Sequence, residues 1–317
     1  MSDAELDSDD VQQLQDGLQR VREEIRKRIV GQQAVVEQLL TCLLCDGNAL
    51  LESTPGLGKT LLVRTVADAT DLDFSRIQNT PDLMPSDVTG TEIIRGDGDN
   101  REFVFERGPV FANLVLADEI NRATPKTQAA LLEAMQEQQV TVGGETYQLP
   151  KPFFVLATQN PIDQEGTYQL PEAQSDRFLL KILLDYPGED EETEIVDRYT
   201  RRLNGGIDVD RVLTGERLRA AQGLVREVPI ATDLRDRAID LVRATRDHEQ
   251  LEYGASPRAS MGLVLAAKAR AFLHGRTHVT AEDVEAMAPS VLRHRVIVDF
   301  RAEREGVTPD DVVADLL

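Results

Sequence analysis

The sequence predicts an α/β protein built on a parallel sheet and followed by a smaller helical domain. Three observations carry this. A short apolar run, Ala49-Leu50-Leu51, passes through a turn rich in Pro and Gly, Thr54-Pro55-Gly56-Leu57-Gly58, into Lys59-Thr60 and a segment of helical periodicity. Two further apolar runs, Leu114-Val115-Leu116-Ala117 and Phe153-Phe154-Val155-Leu156-Ala157-Thr158, end in polar residues, as strands buried on both faces of a parallel sheet do. Beyond the break Asp185-Tyr186-Pro187-Gly188 the pattern is helical.

Strand, glycine turn, Lys-Thr and helix is the layout of a phosphate-binding loop. Gly56 and Gly58 let the backbone turn its N–H groups inward, and the free N–H groups at the helix start add to them. Lys59 would set a positive charge on the β- and γ-phosphates, and Thr60 would offer a hydroxyl to Mg²⁺. Pro55, Leu57 and Leu61 complete this nucleotide-binding set, together with Gly31 in the Val30-Gly31-Gln32 break upstream. The pattern asks for Gly at position 53, where the chain has Ser53. An ordinary turn before a helix is the bland alternative, and Gly58-Lys59-Thr60 in this setting argues against it.

The second apolar run ends in Asp118-Glu119, which a parallel sheet would bring beside bound phosphates. Asp118 suits holding Mg²⁺ through water, and Glu119 suits orienting and deprotonating an attacking water. The third run ends in Gln159-Asn160-Pro161, and Asn160 is a candidate for positioning that water. Arg258 opens a helix after Ser256-Pro257, where a cation opposes the helix dipole, so a better use for its charge elsewhere is indicated.

Residues 1–10 are acidic and small and read as a disordered tail. Val11, Leu14, Leu18, Val21 and Ile25 then mark an amphipathic helix, and a second helix runs to about Cys45. Thr91–Ile94 and Glu102–Phe105 read as a hairpin around Gly96-Asp97-Gly98-Asp99-Asn100, and Val140–Tyr147 as a second hairpin on Gly143-Gly144. Leu179–Leu184 is a further strand. We place the nucleotide domain at 11–186 and an all-helical lid at 187–317, where Thr280-Ala281-Glu282-Asp283 has the form of a capping box.

Composition narrows the function. A formal net charge of −21 does not attract nucleic acid by bulk electrostatics. It suits a protein working in concentrated salt, where repulsion is screened within about 3 Å at 1 M. Cys42 and Cys45 sit in an apolar helical run and read as buried thiols rather than a redox pair or half a zinc site. The scattered His residues support no metal site. No signal peptide or long apolar span is apparent, which predicts a cytoplasmic protein without membrane insertion.

Together, Gly56–Thr60, Arg76-Ile77-Gln78, Thr80-Pro81-Asp82-Leu83 through Pro85-Ser86-Asp87-Val88-Thr89-Gly90, Asp118–Ala123, Ala157–Pro161 and Asp176-Arg177-Phe178 resemble the MoxR family of AAA+ ATPases. The resemblance implies an AAA+ αβα sandwich of the phosphate-loop NTPase class with a helical lid, carrying one hairpin in helix 2 and one before the sensor strand. It implies ATP with Mg²⁺, a ring that is usually a hexamer, and ATP held between neighbours. Arg177 matches the arginine finger that reaches the next subunit's γ-phosphate, and Arg258 matches the second sensor on the lid. Members are thought to act as chaperones or cofactor-insertion machines, often with a von Willebrand factor A domain partner. Arg122 is a looser candidate for facing a neighbour. Two other functions are weighed against this one. A nucleic-acid motor is disfavoured by the acidic charge, and a nucleotide-gated scaffold with little hydrolysis by the intact Asp118-Glu119 pair.

Overall fold

The structure is a computed structural model that describes residues 8–96, 102–161, 168–200 and 207–317. The first helix, α1 (Ser8–Arg28), buries Leu14, Leu18, Val21 and Ile25 along one stripe. It begins within the segment expected to be a disordered tail. Asp9 and Asp10 fall in its first turn, where carboxylates favour the helix dipole, so the acidic character of the tail extends the helix. Residues 1–7 lie outside the described residues.

The second helix, α2 (Gln33–Leu44), precedes β1 (Ala49–Ser53) and α3 (Lys59–Ala69). Cys42 and Cys45 are buried free thiols, pushed up in pKa by burial, as expected of small apolar packing groups. The strands β2 (Phe74–Gln78), β5 (Leu114–Asp118), β8 (Phe154–Gln159) and β9 (Leu180–Leu184) join β1 in a five-stranded parallel sheet of order β2-β5-β8-β1-β9. The period of two is visible within β5. Leu114 and Leu116 join a hydrophobic cluster with α1, α2 and α3, whereas Val115 and Ala117 join Leu131, Leu132 and Met135 of α5 (Pro125–Glu137) on the other face.

Two antiparallel hairpins project from this sandwich. After the short helix α4 (Pro85–Thr89), β3 (Gly90–Arg95) pairs with β4 (Glu102–Arg107). The expected turn at Gly96–Asn100 is described only at Gly96; its other residues lie outside the described ones. The second pair, β6 (Gln139–Val142) and β7 (Glu145–Gln148), turns on Gly143 and Gly144, whose φ values of 61° and 88° require glycine. Phe105 of β4 stacks on Tyr147 of β7 with ring centroids 4.1 Å apart, tying the two hairpins together.

After the one-turn helix α6 (Glu172–Ser175) and β9, the chain continues as α7 (Glu189–Thr200), α8 (Gly215–Glu227), α9 (Thr232–Ala244), α10 (Pro257–Leu273), α11 (Ala281–Leu292), α12 (Phe300–Arg304) and α13 (Pro309–Leu316). This part is not all-helical as expected. Leu251–Tyr253 (β10) and Ile297–Val298 (β11) form a two-stranded antiparallel sheet. Strands of two and three residues leave no readable alternation in a sequence. The capping box is present: Thr280 N–H and Oγ1 both donate to Asp283 Oδ2 at 2.9 Å. Asp283 is fully buried and also binds Arg270, which bridges to Glu37 of α2, so ion pairs join the helices on both sides of the 185–188 break. Among the described residues no helix is long and apolar enough to cross a membrane.

Candidate nucleotide site

Parallel pairing brings the polar strand ends to one edge of the sheet. Leu51 lies opposite Thr158, and Ala117 opposite Ala157, so the phosphate loop, Gln159-Asn160 and Asp118-Glu119 follow one another in that order along the edge. Gly56 and Gly58 have φ values of 87° and 77°, and a Cβ at either would meet open space. The left-handed backbone, rather than crowding, therefore demands glycine there. With Gly58 as N-cap, α3 starts at Lys59, which places Lys59 and Thr60 in the first turn beside its free N–H groups.

Asp118 is almost wholly buried at the end of β5. Its Oδ1 accepts from Thr158 Oγ1 at 2.7 Å, and its Oδ2 accepts from Arg76 Nη2 at 2.6 Å. The following residue, Glu119, leaves the strand in a left-handed conformation with φ 56°, and its N–H donates to Thr158 Oγ1 at 2.8 Å. That turn swings the Glu119 carboxylate sideways, where its Oε2 accepts from Arg122 Nη1 at 2.9 Å and Gln78 Nε2 at 3.1 Å. Asn160 is buried just past β8. Thr60 and Asp118 present the hard oxygen donors that Mg²⁺ takes. With both carboxylate oxygens already hydrogen-bonded, Asp118 fits a role through water better than direct ligation.

The phosphate loop opens on a cavity of about 390 Å³ lined by Pro55, Gly56, Leu57, Gly58 and Leu61 on one side and by Val30, Gln32, Tyr186 and Tyr199 among others. Its apolar walls and size suit a nucleoside. Gly31 does not line it, although its neighbours do. Its φ of 64° and a close approach of the Glu191 carboxylate explain the glycine, so its part is to shape the backbone of the wall.

Arg177 and Arg258 stand elsewhere. They line a separate cavity of about 300 Å³ that shares no residue with the one at the phosphate loop. Arg258 Nη1 lies 3.9 Å from Asp176 Oδ2, and Ser256 Oγ donates to the same oxygen at 3.1 Å. The two cations expected of the site are thus brought together, but away from their own chain's phosphate loop. Arg122 faces Glu119 of its own chain. The reading from sequence gave no role of their own to Thr158, Arg76 and Gln78, and missed Arg295, whose Nε donates to Asp176 Oδ1 at 2.9 Å. The only signal for the first three was their place inside the quoted motifs.

A parallel sheet with a phosphate loop after an interior strand, two acids at the end of the strand two places along and a helical lid defines a phosphate-loop ATPase of the AAA type. The model of the ATPase family associated with various cellular activities (AAA) matches residues 48–180, and that of the AAA lid domain matches 243–316. The chain is 45% identical to Chaperone MoxR1 of Mycobacterium tuberculosis, over 95% of this chain and 81% of that protein. It is 31% identical to Protein MoxR of Methylorubrum extorquens, over 93% and 92% of the two chains. A crystal structure from Cytophaga hutchinsonii, assigned as an ATPase, superposes with a TM-score of 0.90 at 41% identity, covering 97% of this chain and 95% of that one. The chain belongs to the MoxR family of AAA+ ATPases, and ATP hydrolysis is its activity.

Proposed function

We propose that this ATPase works as a homo-oligomeric ring, a hexamer, with each ATP and its Mg²⁺ lying between neighbouring copies. Hydrolysis then drives chaperone-like remodelling of a client protein, or insertion of a cofactor or metal into it, together with a partner carrying a von Willebrand factor A domain. The observation that supports the reading is the separation of Arg177 and Arg258 from the phosphate-loop cavity. A charge that is needed at the γ-phosphate, yet lines a cavity separate from its own chain's phosphate loop, serves the next copy.

In this reading Lys59 and the N–H groups of the loop bind and orient the phosphates. Thr60, and Asp118 through water, would hold Mg²⁺, which would supply charge neutralisation at the phosphates. Glu119 takes the proton of the attacking water once Gln78 and Arg122 release its carboxylate, and Asn160 holds that water in line. Arg177 of the neighbouring copy stabilises the charge that builds on the transferred group, a contribution of about 10³ to 10⁵ in rate for arginine fingers. The protein acts in the cytoplasm, at high salt, in keeping with its net charge of −21. The hairpins at β3–β4 and β6–β7 are the surfaces that touch the client. The name of the mycobacterial relative, a chaperone, agrees with that role.

Subunit mixing tests the shared site. Glu119→Gln and Arg177→Ala should each abolish most hydrolysis alone. Mixed, they should recover activity, because the intact cradle of one meets the intact arginine of the other. Absence of recovery in rings shown to contain both subunits removes the shared site.

A further inference from the structure

Arg177 makes no ion pair and no side-chain hydrogen bond with any described residue. The backbone on either side of it is held by the bonds of its own turn, by Leu179 N–H to Asn48 O, and by one guanidinium that takes several of its acceptors. Arg295 follows the end of α11, and its side chain is 4% exposed. Each of its five N–H groups has an acceptor. Nε donates to Asp176 Oδ1 at 2.9 Å, and Nη2 donates to Asp176 O at 3.3 Å and Phe178 O at 2.6 Å. Nη1 donates to Leu179 O at 3.1 Å and to Val291 O, within α11, at 2.6 Å. Phe178 O accepts a second bond, from His294 Nε2 at 3.0 Å. The carbonyls of Asp176 and Phe178, on either side of Arg177, are therefore gripped by the turn that follows α11.

The same carboxylate extends the grip to α10. Asp176 Oδ2 accepts from Ser256 Oγ, the N-cap of that helix, and lies beside Arg258. Three segments meet at Asp176: the stretch carrying Arg177, the start of α10 and the end of α11. Burying a guanidinium is costly unless every donor is met, and apolar residues could fill the same space at no such cost. A planar fork with five directed donors holds a loop in one geometry, which an apolar side chain or a Lys point charge does not.

We propose that Arg295 is the positioning residue for the arginine finger. It locks the backbone of Arg177 to the lid, so that finger and lid move as one body and a displacement of the lid in one copy re-aims Arg177 at the nucleotide of the next. This rests on the shared-site reading. Misplacing a catalytic group by about 1 Å costs on the order of 10²-fold in rate, so loss of the grip should be felt in turnover. It should not be felt in binding, because Arg295 lies outside the phosphate-loop cavity.

The test uses the full chain with Arg295→Lys, Arg295→Met and Asp176→Asn. For each, kcat and KM for ATP, affinity for a fluorescent ATP analogue, and melting temperature are measured. The expected result is a fall in kcat of about 10- to 100-fold, with ATP affinity held within about two-fold. Arg295→Lys should fail to restore turnover although it keeps the charge. Mixing any of the three with Glu119→Gln should recover activity, since the Glu119→Gln subunit brings an intact finger to an intact cradle. Should Arg295→Met fail to fold, Arg295→Lys and Asp176→Asn decide the matter. Native kcat in folded Arg295→Lys, or a loss of ATP affinity that matches the loss of kcat, overturns the proposal. So does failure of the Arg295 mixtures where Arg177→Ala with Glu119→Gln recovers. If that control pair also stays inactive, the shared site itself is wrong, and the positioning role falls with it.

Discussion

Thr158 Oγ1 donates to Asp118 Oδ1 at 2.7 Å while accepting the N–H of Glu119 at 2.8 Å, so one buried hydroxyl ties both acids to the neighbouring strand. The bond to Glu119 N–H holds a non-glycine residue at φ 56°, a conformation that costs free energy and needs support from its surroundings. Thr158→Val keeps the shape and removes the hydroxyl. It should lower stability by about 1–3 kcal/mol through the unpaired donor and acceptor, and should lower kcat as Glu119 loses its anchor. Thr158→Ser should keep both. Urea unfolding and steady-state ATPase measurements check this; native turnover in the Val variant would refute it.

Gly31 was expected among the nucleotide contacts and instead shapes the wall that Val30 and Gln32 present. Alanine at φ 64° costs about 1–2 kcal/mol, and the backbone shift that relieves it moves both wall residues. Gly31→Ala should therefore raise KM for ATP and leave kcat near native, since Glu119, Asn160 and Arg177 are untouched. A fall in kcat at constant KM would contradict this assignment.

How much of the molecule was legible follows from how local each signal is. The phosphate loop is written in consecutive residues, and only a glycine adopts φ near 80° without strain, so its chemistry could be read directly. Strands buried on both faces carry continuous apolar runs, and Gly143-Gly144 announces a two-residue turn. The bonds that tune the site are not local. Thr158 and Asp118 are 40 residues apart, Gln78 and Glu119 41, and Arg295 and Asp176 119. Each depends on which strands pair or where a helix ends in space, which one sequence does not encode in its periodicity. Arg295 in Arg293-His294-Arg295 reads as helix-end charge until its five acceptors are seen.

Repulsion among surface acids should make stability depend on salt. With a net charge of −21 the folded chain repels itself, and molar KCl shortens the screening length from about 10 Å at 0.1 M to about 3 Å. Melting temperature should rise steadily between 0.1 M and 2 M KCl, and the ATPase should keep its activity there. A melting temperature that is flat or lower at 2 M would end the high-salt interpretation.

Stability should also fall in mild acid, because of His294. The ring is buried, and its pKa lies well below the usual value, first through desolvation and then through the neighbouring Arg295 guanidinium. Its Nε2 donates to Phe178 O, and its Nδ1 has no hydrogen-bond partner, so the folded protein holds the neutral ring. The unfolded chain takes up a proton near pH 6.5. Below that pH the unfolded state binds more protons, and stability present in full above it is lost as pH falls, with a limiting slope of about 1.4 kcal/mol per unit. The Asp46 carboxyl, raised by burial, acts in the opposite direction, but equally in native protein and variant. His294→Gln keeps an N–H for Phe178 O and does not titrate. The drop in the urea midpoint between pH 7.5 and 5.5 should be smaller in that variant than in the native chain. Equal drops would mean that the buried ring is not the group responsible.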